Sequence, residues 1–114
     1  MIENCDLTTK SCTPCRGGIP PLKGEQLLPF YSQLKEGWEL VNEHHLEKTY
    51  LFPDFKTALE FTVKLGELSE AEGHHPDIHL SYGKVNVKIW THKIDGLSES
   101  DFILACKCDP LFRF

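Results

Sequence analysis

Apolar residues at Phe55, Ala58, Phe61, Leu65 and Leu68 recur at steps of three and four, the repeat that aligns one face of an α-helix. Asp54 stands before this run as an N-cap, and Gly73 closes it. On both sides of the helix the period changes to two. Ile78, Leu80 and Tyr82 alternate with His79 and Ser81, and Val85, Val87 and Ile89 alternate with Asn86, Lys88 and Trp90. That pattern predicts two half-buried strands joined around Gly83 and Lys84. Upstream, residues 38–41 and 46–52 are rich in aromatic and β-branched residues, with Asn42-Glu43-His44-His45 between them as a turn.

Two further helices flank these elements. Leu27, Leu28, Tyr31, Leu34 and Lys35 follow helical spacing and end before Gly37 as a C-cap. Pro29 lies inside this run, so either the helix begins at Leu28 with proline in its first turn, or it kinks there. Ser98 and Asp101 form a capping box that opens a last helix, with Phe102, Ile103, Ala105 and Cys106 on its apolar side. The order α-β-β-α-β-β-α predicts an α+β domain, an antiparallel sheet with helices packed on one face. Residues 1–21 lack periodicity and hold Pro14, Gly17, Gly18, Pro20 and Pro21, which reads as an irregular arm; residues 22–114 form one domain.

Composition narrows the function classes. A length of 114 residues with 40% hydrophobic and 25% charged positions is that of an ordinary single globular domain. A net charge of −5 argues against a nucleic-acid surface. No apolar run approaches a membrane span, and the polar amino terminus shows no signal or transit pattern, so a cytoplasmic location is expected. Five cysteines, grouped as Cys5, Cys12/Cys15 and Cys106/Cys108, are then expected as free thiols. Structural or incidental roles come before zinc or redox chemistry, because the C-x-C spacing suits zinc poorly and no strand precedes the C-x-x-C.

The candidate chemistry lies in histidines. His74, His75 and His92 would meet at one rim of the fold, and imidazole exchanges protons near neutral pH. Pro76 disfavours helix at His75, so the adjacent imidazoles point apart and can divide the work. His75 and His79 are four apart, but the same proline opposes the helix a metal pair would need, and no metal is expected. Glu70, one turn earlier, either orients an imidazole or is simply solvated. Asp101 is explained by the helix cap. His44-His45 reads as a solvated turn, His79 as bordering the pocket, and Tyr82 and Trp90 as packing residues able to stack on a flat ring.

In order and spacing, Glu70, His74-His75-Pro76, Tyr82, Trp90-Thr91-His92 and Asp101 resemble the signature of the pterin-4a-carbinolamine dehydratase family, together with Val85, Val87 and Gly96-Leu97-Ser98. The resemblance runs from about residue 22 to residue 106. It implies three helices against a four-stranded antiparallel sheet, and an enzyme that removes water from 4a-hydroxy-tetrahydropterin to give quinonoid dihydropterin in tetrahydropterin recycling. By carry-over, His74, His75 and His92 are catalytic, with His75, Glu70, His79 and Trp90 binding the pterin. No cofactor is implied. A homodimer or homotetramer is. Gly73 departs from relatives that carry an acidic residue there. Two alternatives stay open: a non-catalytic dimerisation or assembly module on the same fold, and a dehydratase-like enzyme for another pterin.

Overall fold

The two predicted hairpins join through their second strands. In the computed structural model, which describes residues 20–112, β1 (Glu39–Val41), β2 (His45–Leu51), β3 (Asp77–Ser81) and β4 (Lys84–Ile89) form one antiparallel sheet of order β1-β2-β4-β3. Leu46 stands opposite Ile89, Tyr50 opposite Val85 and Ile78 opposite Val87. Because side chains alternate across a strand, this register places Leu46, Lys48 and Tyr50 on the same face as Val85, Val87 and Ile89. The other face carries Glu47, Thr49, His79, Asn86 and Lys88.

Helix α2 (Phe55–Glu72) lies against the inner face through Ala58, Phe61 and Leu65. Asp54 caps its start, accepting the Thr57 N–H at 2.9 Å. Helix α3 (Glu99–Cys108) is almost wholly buried, with Phe102, Leu104 and Ala105 inaccessible. Burying each large apolar side chain contributes about 1.5–3 kcal/mol, and Tyr50 packs on Phe61 with ring centroids 4.6 Å apart.

Helix α1 spans only Leu28–Tyr31, after a 3₁₀ turn at Gly24–Leu27, with Pro29 in its first turn. The expected continuation to Lys35 and Gly37 is absent because the ladder tightens. Gln33 and Leu34 donate three residues back, to Phe30 and Tyr31, where an α-helix would donate four back. Tyr31 instead sends its hydroxyl to the Trp38 carbonyl at 2.7 Å.

Two other expectations need correction. Tyr82 is 72% exposed at the β3–β4 turn, so it packs on nothing central; the alternating pattern continued one residue past the strand. Cys106 is disulfide-bonded, whereas Cys108 remains a buried thiol. Sequence spacing does not disclose which thiols meet in space. Cys5, Cys12, Cys15 and most of the expected arm, residues 1–19, lie outside the described residues. Among the described residues no helix is long and apolar enough to cross a membrane.

Candidate active site

Helix α2 ends in a turn that aims His74. Gly73 adopts φ 66°, a left-handed conformation that costs glycine little, and the His74 N–H then reaches back to the Ser69 carbonyl at 3.1 Å. The chain leaves through His75 and Pro76 into β3. A carboxylate at position 73 would have to accept that left-handed backbone.

His74 Nε2 lies 2.5 Å from Asp101 Oδ1, and Asp101 is 0% exposed. The second oxygen, Oδ2, accepts the Ser98 N–H and the Thr91 hydroxyl, each at 2.8 Å. Two donors already point at this carboxylate, so it acts as an acceptor and takes the His74 Nε2–H. Nδ1 is then the ring nitrogen left for a ligand. Asp101 is thus both the α3 cap expected from sequence and the partner of a histidine.

His75 takes the other side of the turn. Its Nε2 meets Glu70 Oε2 at 2.7 Å, and both side chains are largely exposed. Such a contact is worth about 0–1 kcal/mol and serves orientation more than stability.

His92 follows β4 on a loop closed by paired backbone bonds between Thr91 and Gly96, of 2.8 and 3.3 Å. Within it His92–Ile94 form one 3₁₀ turn, ended by Asp95 at φ 51°. The His92 ring lies 4.4 Å from the Trp90 ring, centre to centre.

These segments enclose a cleft of about 300 Å³ lined by Gly73, His74, His75, Trp90, Thr91, His92 and Lys93. The fold therefore brings together His74, His75, His92 and Trp90. Glu70 reaches the cleft only through His75. His79 does not line it. It stands opposite Asn86 on the outer sheet face, in a separate hollow with Glu47 and Lys88, because its place in the alternation turns it away from α2. Thr91 and Lys93 were not singled out by sequence reasoning, although Thr91 sits inside the Trp90-Thr91-His92 motif.

His44 and His45 also differ from expectation. Instead of a solvated turn tip, they form ring contacts with Trp90 at 5.3 and 5.9 Å. Burial, with the neighbouring His44 second, holds the His45 imidazole below its ordinary pKa. Among the described residues no group of three or more His, Cys, Asp or Glu side chains is arranged to hold a metal ion.

Residues 20–111 match the family model described as pterin 4 alpha carbinolamine dehydratase. A protein of Alkaliphilus metalliredigens, provisionally named a pterin-4-alpha-carbinolamine dehydratase, is 52% identical over 104 residues, covering 91% of this chain and 94% of its own. One from Rickettsia bellii with the same provisional name is 50% identical over 111 residues, 97% and 98% of the two chains. A crystal structure from Brucella melitensis, described as a transcriptional coactivator/pterin dehydratase, superposes with a TM-score of 0.73 at 26% identity, over 80% of this chain and 97% of that one. With its helices packed on a four-stranded antiparallel sheet and its histidines gathered at one cleft, the chain belongs to the pterin 4 alpha carbinolamine dehydratase family.

Proposed function

We propose that this cleft dehydrates 4a-hydroxy-tetrahydropterin to quinonoid dihydropterin by histidine acid–base catalysis, within tetrahydropterin recycling. The observation that carries the reading is the contact of the buried Asp101 with a partly buried His74 on the same cleft as His92. The reaction expels hydroxide from C4a and a proton from N5, which leave together as water. Hydroxide leaves poorly unless it is protonated, so one imidazolium must supply a proton while another base takes the one at N5. Each such transfer is worth roughly 10²–10⁴-fold in rate.

His74, with Nε2–H engaged by Asp101, offers Nδ1 as an acceptor and suits the base. His92, on the exposed loop, then protonates the hydroxyl. His75 and Trp90 hold the flat ring, the indole by stacking. Proton transfer of this kind calls for no metal, nucleotide or covalent intermediate.

Chemically prepared 4a-hydroxy-tetrahydropterin, followed by ultraviolet absorbance, tests the reading. The wild type should exceed the uncatalysed rate, and His74→Ala and His92→Ala should each collapse it. A folded wild type no faster than buffer would sink the dehydratase and favour a binding or assembly module on the same fold.

The protein works, on this reading, in the cytoplasm and as a homodimer or homotetramer. Phe55, Leu59 and Val63, 44%, 43% and 51% exposed, form an apolar stripe along the outside of α2 at steps of four. Such a stripe, in a domain this small, favours self-association. Sedimentation as a monomer at micromolar concentration would exclude it.

A further inference from the structure

The turn between β1 and β2 reaches across to the loop that carries His92. Asn42 and Glu43 both take positive φ, 52° and 56°, and the His44 N–H closes onto the Val41 carbonyl at 2.8 Å. Two successive left-handed residues make a type I′ hairpin turn, whose twist matches the strands and fixes the direction of the next residue. His44 is that residue. Its Nε2 lies 2.8 Å from Asp95 Oδ1, and its Nδ1 lies 3.1 Å from His45 Nδ1.

Asp95 ends the short turn that begins with His92, its N–H donating to the His92 carbonyl at 3.2 Å. The same His44 ring touches Trp90, which in turn touches His92. Two routes, one through a carboxylate and one through an indole, therefore run from a residue outside the cleft to the same imidazole.

From this we infer that His44 is a positioning residue for His92, acting through Asp95 and Trp90. Nε2–H donates to Asp95 and stops the loop from swinging out, while the ring limits the tilt of Trp90. The proton on Nε2 leaves Nδ1 to accept from His45 Nδ1–H, so every nitrogen between the two rings and Asp95 has a consistent role. Held by its own backbone bonds alone, without the grip of the facing hairpin, the loop would leave His92 free to move by the ångström or so that matters in proton transfer. The catalytic consequence rests on the dehydratase reading; the geometry of the loop does not.

The test compares His44→Ala, Asp95→Ala, their double variant and His44→Gln, whose amide can still donate to Asp95. Nuclear magnetic resonance of the His92 ring protons, assigned with His92→Gln, reports the shift imposed by the Trp90 ring. It should move toward the free-histidine value in both alanine variants, further in His44→Ala, which loses both routes, than in Asp95→Ala, no further in the double than in His44→Ala, and return in part in His44→Gln, which restores only the route through Asp95. In the dehydration assay kcat should fall about tenfold with KM little changed, with the same rescue. Unchanged His92 signals in folded His44→Ala and Asp95→Ala would overturn the inference. A wild type without activity whose His92 signals still move in these variants would uphold the positioning and overturn the dehydratase instead.

Discussion

Asp101 divides its two oxygens between two elements: Oδ1 meets His74 Nε2 at 2.5 Å, and Oδ2 accepts the backbone N–H of Ser98 at 2.8 Å. One inaccessible carboxylate therefore starts α3 and fixes the ring on the turn after α2. Asp101→Asn keeps the shape and removes the charge. It should lower kcat in the dehydration assay roughly 10- to 100-fold and lower unfolding stability by about 1–3 kcal/mol. An Asn variant with the wild-type rate would show that the pair serves folding alone.

Asp109 is a second shared carboxylate, and here the consequence is stability. It accepts from Tyr50 at 2.5 Å, from Lys48 at 2.8 Å and from Trp38 Nε1 at 3.3 Å, which pins the end of α3 to the inner sheet face. Lys48 lies on that face by register and is largely buried, its ammonium 4.7 Å from the centre of the Tyr50 ring. Asp109→Ala should cost about 3 kcal/mol in urea unfolding, since it removes the carboxylate partner of a largely buried ammonium and leaves it the Glu36 carbonyl at 3.1 Å. Tyr50→Phe should cost about 1–3 kcal/mol. The double variant should fall well short of the sum; additive losses would refute a shared network.

Two glycines near the site are needed for different reasons. At Gly96 an added Cβ would lie 2.5 Å from Pro21 Cβ, where the chain entering α1 crosses the His92 loop and the Leu22 N–H donates to the Leu97 carbonyl at 2.9 Å. Gly96→Ala should therefore destabilise by about 1–3 kcal/mol and loosen the loop. At Gly73 an added Cβ meets nothing within 4 Å, so Gly73→Ala suffers only from its positive φ, about 1–2 kcal/mol. Proteolysis near residue 93 should increase in the first variant and not in the second. Equal cleavage would remove the packing argument.

His45 sets a pH dependence. Burial first, then His44, lowers its folded pKa below the ordinary value of 6.5. The unfolded chain then binds a proton that the folded chain does not, so this group's contribution to stability rises with pH. The penalty appears as pH falls through about 6.5 and is complete below the lowered folded value. Urea midpoints at pH 5 and pH 8 should differ less in His45→Asn than in the wild type. An identical difference would mean that His45 does not titrate abnormally.

Much of this protein is legible in its sequence. The three-and-four spacing of α2, its Asp54 and Gly73 ends, the alternation of β3 and β4 and the Ser98–Asp101 capping box are local properties, set by residues within a few positions of each other. The α+β class follows from their order. So does the prominence of His74, His75 and His92. What sequence could not supply was every relation between distant positions. The approach of His44 to Asp95, 51 positions away, depends on which strand lies beside which, and the disulfide at Cys106 on which thiols the fold brings together.

Local pattern thus determined the elements and the residues able to carry chemistry, because periodicity and capping act over a single turn or pleat. The tertiary structure decided the partnerships. Pairing β2 with β4 sets Lys48 opposite Val87 and brings the His44 turn to the His92 loop, and the packing of α3 sets a helix cap against His74. Those contacts are fixed by strand register and helix packing, which no short stretch of sequence contains.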